Sequence, residues 1–163
     1  MKAAEKAFRT PESRATYDAS QGSGAQQVAV EPTGPGIEIQ LEMARKNYYR
    51  ARELFEIEDY YPAYEMIRQS VEFDPDRPEY WVLLSRVQRK NPRWLRQATE
   101  TLRRATHRIP ESVDLWFELS ECLALERNEP ERVKALKQVL KIDPANRRAQ
   151  SALAEIASMK PGR

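Results

Sequence analysis

Residues 75–120 read PDRPEYWVLLSRVQRKNPRWLRQATETLRRATHRIPESVDLWFELS, and within them one phrase occurs twice. Trp81-Val-Leu-Leu-Ser85 returns as Trp116-Phe-Glu-Leu-Ser120, 35 residues later, and Pro75 returns as Pro110 at the same distance. Outside this window the pattern keeps its register: Ala63 and Ile67 match Ala98 and Leu102, and Pro144 follows Pro110 by 34 residues. Self-similarity at a fixed interval of this size signals stacked supersecondary units, none of which covers its own apolar face alone.

The units are helical. From Ile37 to Met159 there is no glycine, and Ala, Leu, Glu, Arg and Lys dominate, the residues that cost a helix least. Leu41, Ala44, Tyr48, Ala51 and Phe55 recur at steps of three and four across residues 40–58, forming one helical face that needs a neighbour. Asp59 and Pro62 open a second helix with Ala63, Ile67 and Val71, which Asp74-Pro75 stops. After a turn one residue longer, at residues 89–93, Asn91-Pro92 opens the helix of Leu95, Ala98, Leu102 and Ala105. Asn128, Pro130 and Glu131 read as a capping box before Val133, Leu136 and Leu140. Asn146 then caps a last helix with Ala149, Leu153, Ile156 and Ala157 inward and Arg147, Arg148 and Lys160 outward. Small residues (Ala51, Ser85 and Ser120, then Ala63 and Ala98) sit where a large neighbour presses close. Strand signals are weak, because the apolar runs lie inside helical patterns and lack hairpin dipeptides. The expected fold class is all-α.

Composition bounds the function. The 163 residues, 32% of them charged, allow one ordinary domain. Twenty-seven Lys plus Arg against 25 Asp plus Glu leave a net charge of +2, too close to balance to imply nucleic acid or an anionic membrane by itself. One cysteine, Cys122, and one histidine, His107, exclude a disulfide framework and a thiolate-rich metal site. There is no glycine-rich phosphate loop, nucleophile elbow or HExxH motif, so no catalysis, cofactor, metal or small-molecule substrate is expected. No apolar run reaches the length of a membrane span, and no signal peptide opens the chain, so a cytoplasmic protein without membrane contact is the expectation. Residues 19–36, ASQGSGAQQVAVEPTGPG, hold four of the five glycines and read as a flexible, disordered linker.

A period near 34 with a Trp-x-x-Leu-small start, an Ala-x-x-x-large middle and a closing proline resembles the tetratricopeptide repeat (TPR). The likeness covers about Gln40 to Pro144, and it implies a helix-turn-helix solenoid of three repeats plus a capping helix, spanning residues 37–160. Trp81 and Trp116 hold the repeat-start position and are expected in the core, each contributing on the order of 2–3 kcal/mol by burial; Trp94, in the longer turn, is expected in solvent. The first unit departs from the pattern at Asn47 and Arg50, and the third at Arg132, where alanine is usual.

Residues 1–18, MKAAEKAFRTPESRATYD, resemble the C-terminal end of a J-domain, through Thr10-Pro11 and Arg14-Ala15-Thr16-Tyr17-Asp18. The His-Pro-Asp tripeptide with which that family stimulates a chaperone ATPase has no counterpart here, since His107 precedes Arg108. Together the two resemblances imply the C-terminal part of a bacterial J-domain/TPR protein, with co-chaperone-like scaffolding as its setting and a chaperone-related partner.

In the repeat family the first helices line a concave groove that receives a peptide or a partner helix. Counting from the repeat-start residues, that resemblance places Tyr48, Arg52 and Phe55, then Val82, Arg86 and Arg89, then Phe117, Glu121 and Ala124 on the groove. The Lys and Asn of a carboxylate clamp are absent from these places, so an amphipathic or acidic segment is the expected guest. Charge alternates along the chain: residues 53–79 hold nine acidic and two basic side chains, 86–108 eight basic and one acidic, and 111–131 seven acidic and one basic. Either neighbouring helices pair these charges, or Arg86, Arg89, Arg93, Arg96, Arg103 and Arg104 form a basic band for an acidic partner. Flanking acidic bands disfavour nucleic acid. A protein interaction module is the leading expectation, and a self-assembling, homo-oligomeric solenoid is the alternative.

Overall fold

The glycine-free segment forms helices from end to end. The computed structural model describes residues 35–159, and they fold into α1 (Pro35–Glu56), α2 (Tyr60–Phe73), α3 (Pro78–Arg89), α4 (Leu95–Arg108), α5 (Val113–Leu125), α6 (Glu129–Ile142) and α7 (Arg147–Met159), with a single 3-10 turn at Pro92–Trp94 before α4. The J-domain-like stretch 1–18, residues 19–34 of the expected linker and Lys160 lie outside the described residues. Pro35 and Gly36, read as linker, belong instead to the first turn of α1, where a proline loses no hydrogen bond. Among the described residues no strand occurs, and no helix is long and apolar enough to cross a membrane.

Side chains close the helix ends much as their spacing predicts. Asn91, Ser112, Asn128 and Asn146 each accept a backbone N–H two or three residues on, at 3.1–3.4 Å. Asp59 makes no such side-chain bond. The capping box at Asn128 is half formed: Glu131 turns its carboxylate to Lys134 Nζ at 2.7 Å rather than back to the cap.

The repeat period has a physical basis in one recurring hydrogen bond. Trp81 Nε1 donates to the carbonyl of Pro75 at 2.7 Å, and Trp116 Nε1 to that of Pro110 at 2.8 Å. In α7 the amide of Gln150 makes the same bond to Pro144 at 2.9 Å. A proline ends each second helix, and the residue six places on reaches back to its carbonyl, an acceptor in the turn after the helix end.

Each pair of adjacent helices then locks by size. Ile67, Leu102 and Leu136 occupy equivalent places on α2, α4 and α6 and are completely buried. Ala51, Ser85 and Ser120 on α1, α3 and α5 are likewise sealed, with no side chain large enough to hold the helices apart. Ser70 Oγ donates to the Ala44 carbonyl at 2.8 Å, so its hydroxyl is satisfied where α2 crosses α1. Consecutive helices pack on one another throughout, and α1, α3 and α5 also touch along one side, which is thereby the concave one.

Several expectations change on contact with the structure. Leu41 is 41% exposed, since α2 covers α1 only from about Ala44 onward. Ala157 faces solvent while Ala152 and Ile156 turn inward, because the last helix has a neighbour on one side only. Trp81 is buried as expected, but Trp116 is half-buried. Trp94 is half-buried against Tyr64, with ring centroids 5.1 Å apart. Where the first unit lacks its tryptophan, Asn47 Nδ2 donates to Gln69 Oε1 at 3.1 Å and ties α1 to α2. Arg132 is half-buried at the alanine position, with its Nε enclosed and unpaired.

Two residues carry the left-handed backbone that glycine adopts most easily. Glu58 has φ of 62° and Arg127 of 58°, and each sits at the turn within a repeat, after which Asp59 N reaches Leu54 O at 2.8 Å and Asn128 N reaches Leu123 O at 2.9 Å. The extra residue of the second unit replaces this turn with Lys90, right-handed, and the Asn91 cap. Arg127→Gly is expected to raise stability by about 0.5–1 kcal/mol, as the relief of left-handed strain exceeds the added unfolded-chain entropy. Urea denaturation, read as a higher midpoint at an unchanged slope, checks this.

Candidate partner-binding groove

Because the repeat is 34 or 35 residues, Tyr48, Val82 and Phe117 are equivalent positions on α1, α3 and α5, and the packing of these helices brings them to one surface. They line a trough of about 570 Å³ together with Arg52, Phe55 and Glu56 of α1, Glu79, Leu83 and Arg86 of α3, and Asp114 and Glu118 of α5. Arg148 of α7 closes its far end, with its guanidinium 3.9 Å from the Phe117 ring centroid, a stacked cation–π contact. At the near end Tyr48 rests on Tyr80, ring centroids 5.0 Å apart.

Of the residues assigned to the groove from sequence, the structure brings Tyr48, Arg52, Phe55, Val82, Arg86 and Phe117 together around this trough. It does not bring Arg89, Glu121 or Ala124 there. Arg89 is turned toward the α3–α5 interface by the residue that sequence reasoning missed. Glu118, only 7% exposed at its side chain, accepts from Arg86 Nε at 2.8 Å, also pairs with Arg86 Nη2, and accepts from Arg89 Nη2 at 2.8 Å. The signal for it lay in the repeated phrase: Trp116-Phe-Glu-Leu-Ser differs from Trp81-Val-Leu-Leu-Ser by a glutamate where the other repeat buries Leu83. A carboxylate at an interior position requires cationic partners, and Arg86 and Arg89 on the preceding first helix supply them.

Part of the alternating charge is paired between repeats. Besides the Glu118 cluster, Arg108 Nε meets Asp76 at 2.7 Å and Arg103 lies 3.9 Å from Glu131. Arg104 lies over the Trp81 ring at 5.8 Å. Exposed pairs of this kind contribute little each, but they break up the basic band. What remains in the trough is an aromatic floor flanked by Arg52 and Arg148 and by the carboxylates Glu56, Glu79 and Asp114.

No protein-family model and no curated protein matches the chain. Among solved structures, the TPR domain of Arabidopsis OM64 superposes with a TM-score of 0.65 at 11% identity, over 73% of this chain and 98% of that one. The first TPR of Spaghetti (RPAP3), bound to the HSP90 peptide SRMEEVD, gives 0.65 at 15% identity, over 72% and 93%. The fold is the TPR solenoid. The type III secretion chaperone SycD of Yersinia enterocolitica, in complex with a peptide of the translocator YopD, gives 0.60 at 13% identity, over 72% of this chain and 89% of that one. At such identities the TPR likeness is one of architecture.

The lone thiol stands apart from the trough. Cys122 is buried on α5, and the loss of water around it pushes its pKa from the ordinary 9.0 up to about 11. The folded state therefore holds its proton across roughly pH 9 to 11 where the unfolded state releases it, so this contribution to stability is complete below that window and lost as pH rises through it. Iodoacetamide at pH 8 is expected to leave the folded protein unlabelled and to label it in urea, as intact mass will show. For the ion cluster, Glu118→Leu is expected to cost about 2 kcal/mol by stranding the half-buried Arg89, while Glu118→Leu with Arg89→Leu recovers most of the loss. Denaturant melts of the two single variants and the double variant measure that coupling.

Proposed function

We propose that the chain is a non-enzymatic protein-interaction module whose concave trough receives an extended or helical segment of a partner protein. The observation that carries the reading is the continuity of Tyr48, Phe55, Val82 and Phe117 along three first helices, with Arg148 from a fourth. Aromatic anchors with an arginine are the side chains that concentrate binding energy at protein interfaces. The RPAP3 TPR that holds an HSP90 peptide and the chaperone SycD that holds a YopD peptide support a peptide as the guest.

The groove chemistry refines the guest. Glu118 is shared by Arg86 and Arg89, and cations and carboxylates share the rim, so a segment of mixed charge with apolar anchors fits better than a purely acidic one. A co-chaperone-like scaffold arm, presenting or holding a substrate in a cytoplasmic setting, is the role that agrees with the J-domain-like residues 1–18.

A second reading has its own observation. The terminal helix α1 leaves Ile39, Met43 and Tyr49 45–58% exposed, apolar side chains that a second copy would cover in a homo-oligomer. Sedimentation velocity at low and high salt separates the two: a monomer in both removes the oligomer.

For the groove, Arg52→Glu with Arg148→Glu is expected to reduce capture of a partner segment by at least ~10-fold while far-ultraviolet circular dichroism stays unchanged. Both side chains are solvent-exposed and lie outside the Glu118 cluster. Capture retained at the original level contradicts the groove reading.

A further inference from the structure

On the side opposite the groove, the second helices leave two clefts in successive repeats, each bordered by the repeat-start tryptophan. One lies between α2 and α4, bordered by Trp81, Leu84 and Arg104. The other lies between α4 and α6, encloses about 610 Å³ and is bordered by Trp116, Leu119 and Leu123. The two are equivalent by sequence and unlike in content. Over Trp81 sits the guanidinium of Arg104, and that indole is 4% exposed. Thirty-four residues after Arg104 the chain has Gln138, no cation lies over Trp116 among the described residues, and its ring is half-buried. Replacing the longer, charged arginine with glutamine leaves the second indole open.

The rim of the open cleft carries a small positive excess, Arg103 and Lys134 against Glu131. Arg103 and His107 of α4 face Lys134 of α6 across it, and Glu131 is the one carboxylate at its edge, 2.7 Å from Lys134 and 3.9 Å from Arg103. The two helices together carry eight Arg or Lys against three Glu, whereas α5 beneath them carries Asp114, Glu118 and Glu121 and no basic residue. The positive excess therefore belongs to this face.

We propose that the cleft between α4 and α6 is a second binding site, which takes an acidic peptide segment carrying one aromatic or aliphatic anchor. The anchor stacks on Trp116 above Leu119 and Leu123, which remain shielded from water. The flanking carboxylates meet Arg103 and Lys134 at the rim, which supplies orientation and a salt-sensitive on-rate. A nucleic-acid backbone fits less well, since the slot is apolar at its base, lined by Trp116, Leu119 and Leu123. This site is independent of the concave trough.

The test uses the full chain and a displayed library of short random peptides, selected on the wild-type protein and counter-selected on Gln138→Arg. That substitution restores over Trp116 the arrangement already present over Trp81, and it changes only an exposed side chain. The selected peptides, synthesised and titrated by fluorescence anisotropy, are expected to carry Asp or Glu around one apolar residue. They are expected to lose at least ~10-fold in affinity with Gln138→Arg and with Lys134→Glu, and to bind the Arg52→Glu/Arg148→Glu protein unchanged. Arg104→Gln is expected to open the first cleft and add a second equivalent of binding. Failure to recover any peptide sensitive to Gln138→Arg overturns the proposal. So does recovery of sensitive peptides without acidic residues. A single-stranded oligothymidine that binds wild-type protein, and not Gln138→Arg, assigns the cleft to nucleic acid and overturns it as well.

Discussion

Each repeat ends in a proline whose carbonyl needs a donor, and the indole six residues later provides it. The bond from Trp81 to Pro75 and from Trp116 to Pro110 fixes where each first helix begins relative to the helix before it. Gln150 makes the bond to Pro144 without an aromatic ring, so the turn keeps its geometry where the array runs out of neighbours to bury one. With the turns held alike, equivalent residues fall on equivalent faces, and small residues such as Ala51, Ser85 and Ser120 let the helices close to interior packing density. The groove is a consequence of that repetition rather than a separately built feature.

Much of this was legible in the sequence because it depends on period. The spacing of Trp, Ala and Pro gave the number and order of helices, and the small residues marked the helix contacts. What the period does not encode is where the array ends. Leu41 and Ala157 follow the apolar rhythm of their helices, yet each lies at an end of the array where no neighbour reaches. Pro35 and Gly36 have the composition of a linker, but a proline is accepted in the first turn of a helix.

The groove was readable by position and less so by chemistry. Tyr48, Phe55, Val82 and Phe117 reach the trough because helical spacing alone puts them there. For Arg86 and Arg89 the charge alternation leaves two readings, pairing between neighbouring helices or cations offered to a guest, and the structure pairs both with Glu118 on the next first helix. Comparing the two copies of the repeated phrase exposes that partner, since Glu118 stands where Leu83 is buried. Arg148, which closes the trough against Phe117, was read as the outer face of a cap. Its role follows from the capping helix continuing the repeat register, which the missing tryptophan conceals.

The same comparison between repeats separates the two faces of the molecule. The first helices present aromatic residues and balanced charge, and α4 and α6 present a positive excess around one open indole. Both depend on the indoles being held by the preceding turn. Hydrogen exchange of the three indole N–H groups, followed by nuclear magnetic resonance, tests this most directly. Slow exchange at Trp81 and Trp116 with fast exchange at Trp94, for which no indole hydrogen bond occurs among the described residues, is the result the structure predicts. Equal, unprotected exchange at all three would contradict it.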